Sequence, residues 1–161
     1  MIRPLFQNIL VLVRGGEGCV EAAQYATVMS KLYRSKVHAL YVVDTASIKK
    51  LILNKIFVAE ESREYEKNME DTGGRYLEHI REIGANKDVE IKIELRKGSV
   101  SDEIVSYTEE HKIDAVLVGV ENSNGISNEV FERSFYSILS HLKCSVIIVN
   151  DKLIKNIYKM A

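Results

Sequence analysis

The stretch AVLVGVENSNGISNEVFERSFYSILSHLKCSVIIVN, Ala115 to Asn150, decides how this chain is read. It opens as a short apolar strand, passes through a loop of Gly, Asn and Ser, continues with apolar residues at helical spacing and closes on a second apolar strand. A strand that empties through small residues onto a helix start aims unpaired backbone N–H groups and the positive end of a helix dipole at one spot, which suits a phosphate.

Outward from this stretch, apolar runs without alternation recur at Ile9 to Val13 and Val37 to Val43, as they do at Ala115 to Val118 and Val146 to Val149. Strands buried on both faces look like this, and both faces are covered chiefly in parallel sheets flanked by helices. A fifth strand, Val89 to Leu95, alternates apolar and charged residues and belongs at a sheet edge with one wet face. Between the strands the period is helical. Cys19, Ala22, Ala23, Ala26, Met29 and Tyr33 form one stripe; Tyr65, Met69, Thr72, Tyr76, Leu77, Ile80 and Ile83 form another. Val100, Ile104, Val105 and Thr108 line a third helix, opened by Ser99, and Phe131, Phe135, Ile138, Leu139 and Leu142 line a fourth. The βαβαβαβαβ order has one economical solution: right-handed crossovers that place helices on both faces of a five-stranded parallel sheet, an α/β/α sandwich. Ligands of such sheets collect at the carboxyl ends of strands where the strand order reverses, which here are Val13, Val43 and Gly119.

Two segments stand outside this scheme. Asp44 to Glu60 carries Ile48, Leu51, Ile52 and Ile56 at helical spacing among lysines, which predicts a short amphipathic helix that packs on its own domain, covers the crevice as a lid, or meets a partner. The tail 151–161, beyond a domain spanning 1–150, carries Leu153, Ile154, Ile157 and Tyr158 at the same spacing and docks on the domain or on a second subunit.

At 161 residues the chain forms one domain, and 46% apolar with 28% charged residues is the mixture of a globular protein. A formal charge of -1 gives no pull toward nucleic acid or an anionic membrane, and the apolar runs are too short to cross a bilayer. The expected address is cytoplasmic. Cys19 and Cys144 make neither a disulfide framework nor a zinc site; Cys144 reads as a core residue, and Cys19, in the first turn of a helix, as inert. His38, His79, His111 and His141 are too scattered for a metal site and read as structural, as do Asp44 and Asp114 beside strands. No nucleophile with a paired base is visible, so binding rather than catalysis is expected.

The segments NILVLVRGGEGCVEAAQYATVMSKL, VHALYVVD, RKGSVSDEIVSYTEEHKIDAVLVGV and LSHLKCSVIIVN together resemble the universal stress protein family over nearly the whole domain. The resemblance implies a Rossmann-like sheet of strand order 3-2-1-4-5. It also implies a stress-response role exercised through binding and homodimerisation by antiparallel pairing of the last strand, and a pocket for ATP or AMP, with Mg if ATP. Mapped onto this chain, Val13, Arg14, Val42 and Val43 flank the base and ribose, while Gly119, Gly125, Arg133 and Ser134 surround the phosphates. The match is partial. Arg14 stands where the family has Asp, Arg133 where it has a glycine, and Gly125 falls later than the second motif glycine, so a weakened or altered pocket is expected. Two readings of the arginines stand open: they grip phosphate through their guanidinium groups, or they are paired with neighbours such as Glu17, Glu121 or Glu129. The alternatives to a nucleotide-binding regulator are a nucleotide-free protein-interaction module and a slow ATP hydrolase.

Overall fold

The computed structural model describes residues 4–56, 58–120 and 135–161. Its elements follow the order β1 (Asn8–Leu12), α1 (Glu17–Tyr33), β2 (Lys36–Asp44), α2 (Thr45–Leu53), α3 (Ala59–Ala85), β3 (Ile91–Gly98), α4 (Val100–Glu110), β4 (Ala115–Gly119), α5 (residues 135–139), β5 (Ser145–Val149) and α6 (Ile154–Met160). The five strands form one sheet of order β3-β2-β1-β4-β5, and every pairing is parallel, as the strand pattern and the family resemblance imply.

The doubly apolar strands explain the two layers of helices. Successive side chains leave a strand on opposite faces. Ile9, Val11, Val37, Ala39, Val43, Ala115 and Leu117 therefore point one way, into a core with the Cys19, Ala22, Ala23, Ala26 and Met29 stripe of α1 and with Leu77, Ile80 and Ile83 of α3. Leu10, Leu12, Leu40, Val116 and Val118 point the other way, onto Ile104 and Tyr107 of α4 and Phe135 and Ile138 of α5. Phe131 of the fourth stripe lies outside the described residues, and Cys144 packs half-buried against this second core.

Several expectations shift by a turn or a face. The edge strand begins at Ile91, because Val89 closes the preceding turn by donating its N–H to Gly84 O at 2.9 Å, and it runs on to Gly98 in register with Asp44. Tyr33 and Tyr65 are exposed rather than core; Tyr33 rests against Phe6 with ring centroids 5.9 Å apart. In α2 the carboxylate of Asp44 accepts from Ser47 N and Oγ at 3.0 and 2.7 Å, capping the helix, but only Ile48 is buried. The tail docks on its own domain: Ile154 is buried, and the Tyr158 hydroxyl donates to Ile83 O at 2.6 Å. The carboxylate of Asp114 accepts from the N–H groups of Gln7 and Asn8, both at 2.8 Å, tying the entry of β4 to that of β1.

The long α3 lies close on the sheet because Gly73 faces Tyr41: a Cβ there would sit 2.3 Å from the ring, whereas one at Gly74 would meet nothing within 4 Å. His38 is buried beneath α4 with Nδ1 2.8 Å from the Tyr107 hydroxyl, and its Nε2 has no hydrogen-bond partner among the described residues. Burial, and then the neighbouring His111, Lys92 and Lys36, lower its pKa to about 4, while burial pushes the Tyr107 hydroxyl up to about 12.

Gly73→Ala is expected to lose about 1–3 kcal/mol in urea titrations through overpacking, and Gly74→Ala to gain roughly 0.5–1 kcal/mol through helix propensity. Because the folded His38 pKa lies below its unfolded value of 6.5, the unfolded state binds more protons as acid is added. Stability falls between pH 6.5 and about 4 on this account. His38→Gln should flatten that part of the stability curve measured by thermal denaturation at stepped pH.

Candidate functional site

The sheet opens between β1 and β4, where the chain order reverses and the connections leave in opposite directions, and such a crevice lies outside the carboxyl ends of the strands. At those ends, on the α4 and α5 side, is a chamber of about 230 Å³. β1 and the residues after it supply Leu12, Val13 and Arg14; β2 supplies Leu40, Tyr41, Val42 and Asp44. Met69 of α3, Val100 and Ile104 of α4 and Phe135 and Ile138 of α5 complete its largely apolar wall. It is smaller than the roughly 300–1,000 Å³ usual for small-molecule sites, so it has room for part of such a ligand rather than the whole. No residue of Thr45–Leu53 lines it, so α2 is not a lid over this chamber among the described residues.

Three of the eight candidate residues, Val13, Arg14 and Val42, line the chamber. Val43 does not: its side chain is sealed in the α1–α3 core. Gly119 ends β4 beside the crevice, and Gly125, Arg133 and Ser134, together with Glu121 and Glu129, lie outside the described residues. The lining residues that the sequence did not reveal as a site are chiefly Asp44, Met69, Ile104, Phe135 and Ile138. Four of them read as ordinary stripe or turn positions; Asp44 was visible as the last residue of β2, and the first polar side chain beyond an apolar strand is a fair signal for a crevice residue.

Two contacts fix the mouth of the crevice. The Arg14 guanidinium donates from Nη2 to Gly119 O at 2.9 Å, so the cation in place of the expected Asp bridges the ends of β1 and β4. A Cβ at Gly119 would fall 1.8 Å from Gly18 O, which means that the end of β4 lies directly on the first turn of α1. Glycine is thus demanded here by the domain's own backbone packing, whatever ligand approaches. The preceding turn holds Gly15 and Gly16 at φ 95° and 82°, a conformation that L side chains avoid, and delivers the chain into α1. Cys19 is buried there with Sγ 3.1 Å from Gly16 O. Among the described residues, no three His, Cys, Asp or Glu side chains converge on a possible metal site, and no helix is long and apolar enough to cross a membrane.

Sheet order, crossovers and switch-point chamber define a doubly wound parallel α/β domain of the kind that binds ligands at strand ends. Residues 5–150 match the model of the Universal stress protein family, and the chain belongs to that family. It is 25% identical over 146 residues to Universal stress protein MJ0531 of Methanocaldococcus jannaschii, covering 90% of this chain and 82% of that protein. Its fold is similar to that of the universal stress protein from Archaeoglobus fulgidus solved in complex with dAMP, with a TM-score of 0.62 and 14% identity over 91% of this chain and 99% of the other. A universal stress protein family protein of Arabidopsis thaliana solved with AMP bound gives a TM-score of 0.59 and 17% identity over 89% and 90% of the two chains.

Proposed function

We propose that this chain is a stress-response regulator that binds an adenine nucleotide at the β1–β4 crevice and acts through binding and homodimerisation rather than turnover. The observation that carries this reading is the chamber itself, largely apolar and placed at the carboxyl ends of β1 and β2. The fold relatives solved with dAMP and AMP support the ligand class. The adenosine part sits among Val13, Val42, Ile104 and Phe135, with the backbone at Val43 at its edge, and the phosphates extend past Gly119, with Gly125, Arg133 and Ser134 assigned to them by the family pattern alone. If the ligand is ATP, Mg accompanies its phosphates.

Arg14 alters this pocket. Its bond to Gly119 O supports the reading of a brace between two strands, and it leaves a cation rather than a carboxylate at the ribose end. The acceptor expected at position 14 is thereby lost, which leaves Asp44 as the carboxylate in the lining, and affinity rests more heavily on the apolar walls and the phosphates. AMP and ADP are therefore expected to bind in the micromolar to millimolar range by calorimetry, with a matching rise in melting temperature. Val42→Phe, which fills the chamber, should lower affinity at least tenfold for adenosine and nucleotide alike. Ser134→Ala and Arg133→Ala should weaken ATP more than adenosine. Absence of both heat and thermal shift at millimolar nucleotide would sink the nucleotide reading in favour of a protein-interaction module.

The dimer is assigned to the outer edge of β5. Beyond β4 this strand has no second neighbour among the described residues, and Ile148 is 60% exposed on it. Antiparallel pairing of two such edges about a two-fold axis would cover it. Ile148→Lys is expected to shift sedimentation from dimer toward monomer while the far-UV circular dichroism is unchanged; an unaltered dimer would move the interface elsewhere.

A further inference from the structure

Three polar side chains interrupt the apolar lining of the chamber: Arg14, Tyr41 and Asp44. The protein itself employs the first two. Arg14 donates to Gly119 O at 2.9 Å, and the Tyr41 ring packs against α3 at Gly73. Asp44 differs from both. It is the last residue of β2, half-buried, and makes no ion pair among the described residues. A carboxylate thus stands in a largely apolar wall without a cation to neutralise it, and a ligand that covers it must supply hydrogen-bond donors in place of water.

The carboxylate is held in one orientation. Oδ1 accepts from Ser47 N at 3.0 Å and Oδ2 from Ser47 Oγ at 2.7 Å, and the backbone lies in register with Gly98 of β3. An ionised carboxylate offers about four acceptor sites, so capping α2 leaves each oxygen able to take a further bond. An acceptor fixed in this way loses little side-chain freedom when it meets a ligand.

Place in the sheet decides which part of the ligand it meets. Adjacent strands lie roughly 4.8 Å apart, so the order β2-β1-β4 sets Asp44 two strands, or roughly 10 Å, from Gly119, with Arg14 between them. A nucleotide runs in the same sequence of phosphate, sugar and base. With phosphates at the Gly119 end and the sugar beside Arg14, the outer edge of the base comes to Asp44.

We propose that Asp44 is the specificity-determining residue of the chamber and accepts a hydrogen bond from the exocyclic amine of the bound base. This assignment rests on the nucleotide reading above and adds a selection rule to it. An ionised carboxylate can only accept, so a base with an amine on that edge is retained, whereas one without it sets acceptor against acceptor and is rejected.

Calorimetry with the full chain compares AMP with the monophosphate of purine riboside, which differs from AMP only in lacking the amine. AMP is expected to bind roughly tenfold or more tightly, the scale of a hydrogen bond to a charged group. Asp44→Ser keeps a capping hydroxyl for α2 and removes the carboxylate. It should bring AMP down to the affinity of the amine-free nucleotide and leave the latter unchanged, with the melting temperature checking that the variant is folded. Equal binding of the two nucleotides by the unaltered chain would overturn the assignment and leave the nucleotide reading standing. So would an equal loss for both in Asp44→Ser, which puts the carboxylate on the sugar, or GMP bound more tightly than AMP, which puts it on a ring N–H. If neither nucleotide gives heat or a thermal shift at millimolar concentration, the nucleotide reading falls and the role of Asp44 falls with it.

Discussion

Burial of the two central strands on both faces is the constraint from which the rest of this molecule follows. Ile9, Leu10 and Val11 in β1 and Ala115, Val116 and Leu117 in β4 are all sealed from water, which is possible only when helices cover both sides of the sheet. Covering both sides requires the crossovers to run one way toward β3 and the other way toward β5. The divergence between β1 and β4 opens the crevice. Core and candidate site are in this sense one feature: the apolar runs that make the layers also decide where a ligand can enter.

The fold was largely legible because that constraint writes itself into residues. Runs such as ILVLV and AVLV have no polar face to expose, and the alternation in VEIKIEL could only belong at an edge. Boundaries were less legible where a turn competes with a strand, as at Val89, whose N–H is taken by Gly84 O before β3 begins. The site was legible by place and not by membership. Val42 and Val43 stand together in the sequence, yet the pleat sends one into the chamber and the other into the opposite core. Met69, Phe135 and Ile138 read as core stripe residues, and nothing in a helical period says that a stripe overhangs a cavity as well as a sheet.

Arg14 shows how one substitution redistributes a site's chemistry. A carboxylate at this position would accept hydrogen bonds from a ligand; a guanidinium can only donate, and here it donates to the chain itself at Gly119. The hydrogen bond ties the end of β4 to a residue just after β1. Sequence reading found the change of charge, but the acceptor, 105 residues away, is a backbone oxygen that no motif encodes.

The contact between Gly119 and Gly18 has an evolutionary consequence. A Cβ at position 119 would meet main chain at Gly18, which has no side chain to repack, so a change at 119 finds no compensating change of side chain at 18. The chamber walls, by contrast, are made of interchangeable aliphatic and aromatic groups. The lining of the chamber is therefore free to change while this main-chain contact stays where it is.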